Sequence, residues 1–296
     1  MAGSMVHLNV AIELLKRFDV MCGGKIKDFG AFGGDDFKRD VSILDGDDSY
    51  APVSEIEYKT LGKLFRIKNT RPILRTREQR INFVLANVSP DNIMSRPGYE
   101  RSMKMHTHFR DGILDPEFRY RENLSVFHER LICFANDHLT GVTAGSDAER
   151  DFELYLGYVT HTMTDEMFML SVRERVMAHA ARLGLGETDE ETIRFFTYDT
   201  DAVDYRLARE GKNKDAILEA MQEAVSKEMW LFKGEGKTPE NMVLYDETEK
   251  SRIWMIDRYY KGNVDGMKAV VATDEMMERF INTASARIVN NICNFK

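Results

Sequence analysis

The stretch Tyr155-Leu156-Gly157-Tyr158-Val159-Thr160-His161-Thr162-Met163-Thr164-Asp165 sets the reading of this chain. Charged residues flank it, with Asp147, Glu149, Arg150 and Asp151 before and Arg173, Glu174 and Arg175 after. What lies between is mostly apolar, and Gly157 is its one break, which predicts a long and largely buried helix. His161 and Asp165 stand four residues apart, so they share one helical face. A carboxylate on a buried face needs a partner, because burying it unpaired is costly. A metal ion, an Arg from elsewhere, or a plain His–Asp hydrogen bond would each serve.

The 296 residues, 43% hydrophobic and 30% charged, suffice for a sizeable core, as one large helical domain or a domain with appendages. A net charge of -8 argues against a dedicated nucleic-acid binder, which needs a basic face. Arg71–Arg80 is the one local basic patch. No apolar run reaches the length of a membrane span, and no signal peptide opens the chain. Met1–Ser4 reads as an expression scar, with Met5 as the native start. Cys22, Cys133 and Cys293 are far apart, odd in number and without CxxC spacing, which fits free thiols in a reducing, cytoplasmic setting.

Outward from the central stretch, Val6–Phe18 reads as an amphipathic helix with His7 on the face of Ala11, Leu14, Leu15 and Phe18. Met21–Tyr50 reads as an irregular, solvated, Gly- and Asp-rich excursion, followed by a helix at Val53–Leu64. The excursion lacks both the Gly-Lys-Ser/Thr ending of a P-loop and the closing Glu of an EF-hand. Glu78–Asn87 predicts a helix ending at Ser89-Pro90-Asp91-Asn92, an ordinary turn or cap signal. His106 and His108 follow, two residues apart, and with Asp91 they supply nitrogen and oxygen ligands of the kind zinc takes. Glu117–Leu139 predicts another helix. It carries His128 and His138, which, like His179, show no ligand partner at ligand spacing. Beyond Gly184 the pattern predicts helices at Thr188–Phe196 (with capping-box spacing from Thr188 to Glu191), Asp201–Arg209, Lys214–Phe232, Glu240–Tyr260 and Asp274–Asn291. With no strand pair and no repeat, the class is all-α.

His7, Ser89-Pro90-Asp91, Thr107-His108-Phe109 and Gly157-Tyr158-Val159-Thr160-His161-x-x-x-Asp165 occur in an order that resembles the zinc-dependent phospholipase C family, whose fold is shared with P1-type nucleases. The resemblance covers about the first 180 residues. It implies metal ligation by His7, Asp91, His108, His161 and Asp165, with His106 as the alternative to His108, and a multi-helix fold to which residues 185–296 add helices. Zinc or another divalent transition metal, one or two ions, is the implied cofactor. The chemistry implied is attack by metal-activated water on a small phosphoester or phospholipid-like substrate, with Asp91 and Asp165 at the catalytic centre. Three departures stand out: the 21–77 insertion, the residues ahead of His7 where secreted members place a free N-terminus, and the lack of the two later His and acidic residue that complete a third metal position. The alternative is a helical binding or scaffold protein with a structural or degenerate metal site. An HD-type phosphohydrolase is disfavoured, since no His-Asp dipeptide occurs.

Overall fold

The computed structural model describes residues 2–21, 74, 76–139, 151–227, 243, 245–262 and 266–292. Most of residues 21–77, where an insertion and a helix at Val53–Leu64 are expected, lie outside them. The described residues form ten α-helices and no strand. These are α1 (Ser4–Met21), α2 (Arg77–Ala86), α3 (Arg101–Thr107), α4 (Arg121–Leu139), α5 (Phe152–Phe168), α6 (Glu174–Arg182), α7 (Glu190–Arg209), α8 (Lys214–Ser226), α9 (Tyr245–Met255) and α10 (Asp274–Ile292). No helix among the described residues is long and apolar enough to cross a membrane.

Helix α5 is the axis of the bundle, buried from Glu153 to Phe168. It does not stop at Phe168 but runs through a π-helical turn, Met169–Arg173, into α6. Helix α2 crosses α5 at Gly157, and this position requires glycine. A Cβ there would stand 2.5 Å from Ala86 Cβ and 2.7 Å from the Phe83 carbonyl oxygen. Helix α2 is started by a reciprocal cap, in which Thr76 accepts from the Gln79 amide and the Gln79 side chain accepts from the Thr76 amide. Arg77 in its first turn pairs with Glu219 and Glu223 of α8, and Arg80 is buried against the Leu74 carbonyl. In the described part of the basic patch both arginines are thus engaged, Arg80 inside the fold and Arg77 in ion pairs nearer the surface.

Helix α1 packs on α2, α5, α7 and α10, and its residues are buried on every side from Met5 to Leu15. A helix enclosed in this way is mostly apolar, and its buried polar exceptions are His7, Asn9, which donates to the Met5 carbonyl, and Glu13, which pairs with Lys16 and Lys212. Ala2–Ser4, the described part of the stretch read as a scar, is packed inside as well. Ala2 and Ser4 are buried, and a Cβ on Gly3 would collide with the Asp204 carboxylate. Asp204 lies against the start of α1, and Tyr259 donates to its Oδ2 at 2.9 Å. Helices from 185–296 therefore supply walls of the core rather than an outer layer.

Two local expectations are corrected. The helices expected at Thr188–Phe196 and Asp201–Arg209 are one continuous α7, because Thr197 and Thr200 satisfy their hydroxyls on the Ile193 and Phe196 carbonyls and leave the helix unbroken. Its N-cap is Asp189 rather than Thr188, and the Asp189 carboxylate accepts from the Gly186 amide instead of forming the expected box.

Two outcomes follow. Gly157→Ala should lower stability by about 1–3 kcal/mol, the cost of overpacking a close helix crossing, read as a drop in thermal midpoint. An unchanged midpoint would refute the close approach. Burial pushes the Asp204 carboxyl up to about 7, against the opposing Tyr259 hydrogen bond. A raised carboxyl favours the folded state fully below its unfolded pKa of ~3.9, and that contribution is lost as pH rises through about 7. Asp204→Asn should therefore flatten the decline in stability between those limits, measured by denaturant titration across pH.

Candidate metal centre

Five side chains from four segments meet at one point: His7 of α1, Asp91, His108, and His161 with Asp165 of α5. Asp91 lies in a 3-10 turn, Ser89–Ser95, immediately after α2. That turn is tied down on both sides, by Thr107 donating to the Pro90 carbonyl at 2.8 Å and by Asn92 donating to Thr248 of α9 at 3.2 Å. Arg96 adds an ion pair to Glu247 on the same helix.

His108 caps the C-terminus of α3, and Phe109 after it takes φ 57°, a left-handed conformation rare for an aromatic residue. The turn is held by the Arg110 amide donating to the Met105 carbonyl at 2.8 Å, and by Tyr158 of α5 donating to the Thr107 carbonyl at 2.5 Å. Strain of this kind tends to gather at functional sites.

The orientation of two imidazoles follows from their neighbours. His161 Nδ1 faces the Asn87 carbonyl at 2.7 Å, and His108 Nδ1 faces the Lys104 carbonyl at 2.7 Å. A carbonyl only accepts, so each Nδ1 carries the proton and each Nε2 points inward with a lone pair. Asn87 is itself fixed, accepting from Thr160 at 2.7 Å and donating to the Phe83 carbonyl at 2.8 Å. His7 stacks on His161 with ring centres 3.8 Å apart.

The inward atoms lie close together. His161 Nε2 and His108 Nε2 are 3.0 Å apart, and His108 Nε2 lies 3.3 Å from both Asp91 Oδ1 and Asp165 Oδ2. His7 Nε2 lies 3.2 Å from Asp165 Oδ1, and His161 Nε2 lies 3.7 Å from Asp165 Oδ2. The Ala2 amide donates to Asp165 Oδ1 at 2.7 Å.

Burial opposes ionisation of Asp91, yet Lys104, His108 and His161 hold its carboxyl well below the usual range. Asp165 is likewise held low against its burial by His108 and His7. Burial also pulls His108 down, but the two carboxylates outweigh it and raise it. His161 is driven well down, by burial first and then by His7 beside it.

The donor set fits a divalent transition metal. Both ring nitrogens of His7 and Asp165 Oδ2 are buried without a hydrogen-bond partner among the described residues, and Asp91 Oδ1 is buried in an ion pair with Lys104. Ligand atoms of His7, His161 and Asp165, and of Asp91, His108 and His161, fall within 4.8 Å of one another. Such spans suit ligands about 2.0–2.2 Å from a shared ion. His161 belongs to both groups but has one free nitrogen, so only one group can claim it.

His106 stays out of the cluster, exposed and paired with Asp111 at 3.0 Å. His138 stacks on Tyr155, and His179 stacks on Phe195. His128 also stays out of the cluster and lies 2.7 Å from Glu166, a carboxylate one helix away that local spacing does not show. Lys104 is the residue the sequence reading missed. Its Nζ is 2.6 Å from Asp91 Oδ1, and its place four residues before His108 on α3 is the signal that could have found it. Comparison with protein-family models, with curated proteins and with solved structures finds no match to this chain.

Proposed function

We propose that this protein is a metal-dependent hydrolase of phosphoric esters, built on a phospholipase C/P1 nuclease-like helical fold and loaded with zinc or a similar divalent ion. The observation that carries the reading is the pair of Nε2 atoms of His108 and His161, 3.0 Å apart, with each Nδ1 facing a carbonyl and two buried carboxylates alongside. Carbonyls behind ligating imidazoles are the usual outer partners of a metal site, fixing the tautomer and the ring plane.

Asp91, His108 and His161, joined by Asp165, would hold one ion firmly. His7 and the other oxygen of Asp165 would hold a second more weakly, since His161 has no second nitrogen to share. A divalent ion in this setting supplies Lewis-acid polarisation of a phosphoryl oxygen and an acidified water. The chain's own residues do the rest. Asp165 presents one oxygen to each side of the cluster, the Asn87 and Lys104 carbonyls fix the imidazoles in the tautomer whose Nε2 can ligate, and the buried walls limit access of bulk water. The reaction class rests on the ordered motifs that resemble the phospholipase C family, and a small phosphoester is the substrate they imply.

One observation favours a second reading, a scaffold with a metal-free cluster. Lys104 beside Asp91 and the raised His108 between both carboxylates offer positive charge without any ion.

The two readings part on metal content. The purified protein should carry one tightly held zinc and take up a second at higher concentration, with a lower thermal midpoint after chelation. Asp165→Asn should lose both ions and lower hydrolysis of a chromogenic phosphodiester by orders of magnitude, whereas His138→Gln should change neither. Elemental analysis without metal, and no stabilisation by added zinc, would leave the scaffold reading in place.

A further inference from the structure

Lys104 touches the cluster with both its main chain and its side chain. Its carbonyl faces His108 Nδ1 at 2.7 Å, and its Nζ lies 2.6 Å from Asp91 Oδ1. The residue is buried, and its other side-chain contact is Met94 Sδ, 3.6 Å from Nζ. Among the described residues Nζ meets no imidazole, so the ammonium sits behind Asp91 rather than between the ligand atoms. Asp91 Oδ1 is also the oxygen that lies 3.3 Å from His108 Nε2. A carboxylate oxygen has two lone pairs, so it can keep the ammonium and ligate an ion together. Asp165 acts on the same ammonium electrostatically. Arg110 and Glu166, beside His108 and Asp165, are already paired with Asp115 and His128.

The inner atoms have the spacing of one coordination shell. His108 Nε2 lies 3.0 Å from His161 Nε2 and 3.3 Å from an oxygen of each carboxylate. Four ligands about 2.0–2.2 Å from one ion stand roughly 3.3–3.6 Å apart in a tetrahedron. Charge then decides whether a second ion follows. Two carboxylates and one ammonium carry a single net negative charge. One divalent ion turns that into a single positive charge, and a second would raise it to three in an enclosed place, where like charges repel strongly. We infer that Lys104 is a resident cation of this centre that confines tight binding to one divalent ion. The inference rests on the metal-dependent reading above and deepens it. A shortage of ligands alone would leave the second ion weak whatever side chain stands at position 104.

The test counts zinc in full-length protein stripped by chelation and reloaded, by elemental analysis after gel filtration and by titration against a chromophoric chelator. The parent should retain one ion per chain and take a second weakly. Lys104→Gln is neutral but still able to donate to Asp91. It should retain two ions, with affinity for the second at least about tenfold higher, because a nearby like charge is gone. Lys104→Arg keeps the charge and should match the parent. If Lys104→Gln needs metal to fold, refolding it in zinc keeps the ion count readable. One retained ion in Lys104→Gln, with the second as weak as in the parent, overturns the inference. So do two tightly held ions in the parent or in Lys104→Arg, and each of these results leaves the metal centre standing. A parent that takes up no zinc overturns the metal-dependent reading and this inference with it.

Discussion

The hydrogen bond from His161 Nδ1 to the Asn87 carbonyl depends on how closely two helices can lie. Asn87 ends α2, and its carbonyl reaches the imidazole only because α2 rides over Gly157 with no Cβ between the backbones. The same crossing puts Thr160 under the Asn87 side chain and sends the chain straight into the Ser89–Ser95 turn that carries Asp91. One small residue on α5 therefore sets the tautomer of His161 and the position of a carboxylate from another segment. Neither could be adjusted alone, because a close-packed crossing transmits displacement rather than absorbing it.

Charge gives the second constraint. Two carboxylates in a fully enclosed place cannot both stay ionised without compensation. Lys104 answers for Asp91 by direct contact, while the direct contacts of Asp165 among the described residues are imidazoles and the Ala2 amide. Asp165 is thus the more demanding of the pair, with Oδ2 left without a hydrogen bond. A divalent ion meets that demand from both sides of the carboxylate, whereas protonation of His108 meets it from one. This asymmetry is what supports the proposed metal-bound reading, even though Lys104 lowers the total positive charge the cluster requires.

Much of this was legible in the residues, for identifiable reasons. The buried α5 and the shared face of His161 and Asp165 are period-3.6 features of one uninterrupted segment, and the structure places both as the period requires. The convergence of Asp91 and His108 with that face could be read only through motif order, since their spacing along the chain carries no local geometry. Choosing between His106 and His108 needed the turn itself: Phe109 in its left-handed conformation directs His108 inward, and Asp111 draws His106 out. Partners such as Glu166 for His128, or Asp204 for the start of α1, lie 38 residues away or more and leave no trace in spacing. The single α7 was missed for a different reason: a polar run of Thr, Asp and Tyr resembles a break until its hydroxyls are seen to bond the preceding turn.

The late helices have a bearing on the cluster that their lack of histidine conceals. Helix α9 holds the Asp91 turn through Thr248 and Glu247, and α10 and α7 enclose α1, which carries His7. Asp204 of α7 and Tyr259 after α9 close on Gly3, whose neighbour Ala2 donates to Asp165. Three of the five candidate ligands thus depend on contacts from beyond residue 185, although none of the ligands lies there. A chain cut before α7 would keep α5 and its His161–Asp165 pair but would lose what positions His7 and Asp91 against it. Assembly of the cluster is therefore a property of the whole described bundle, with both ends of the chain brought to α5 before the ligand set is complete.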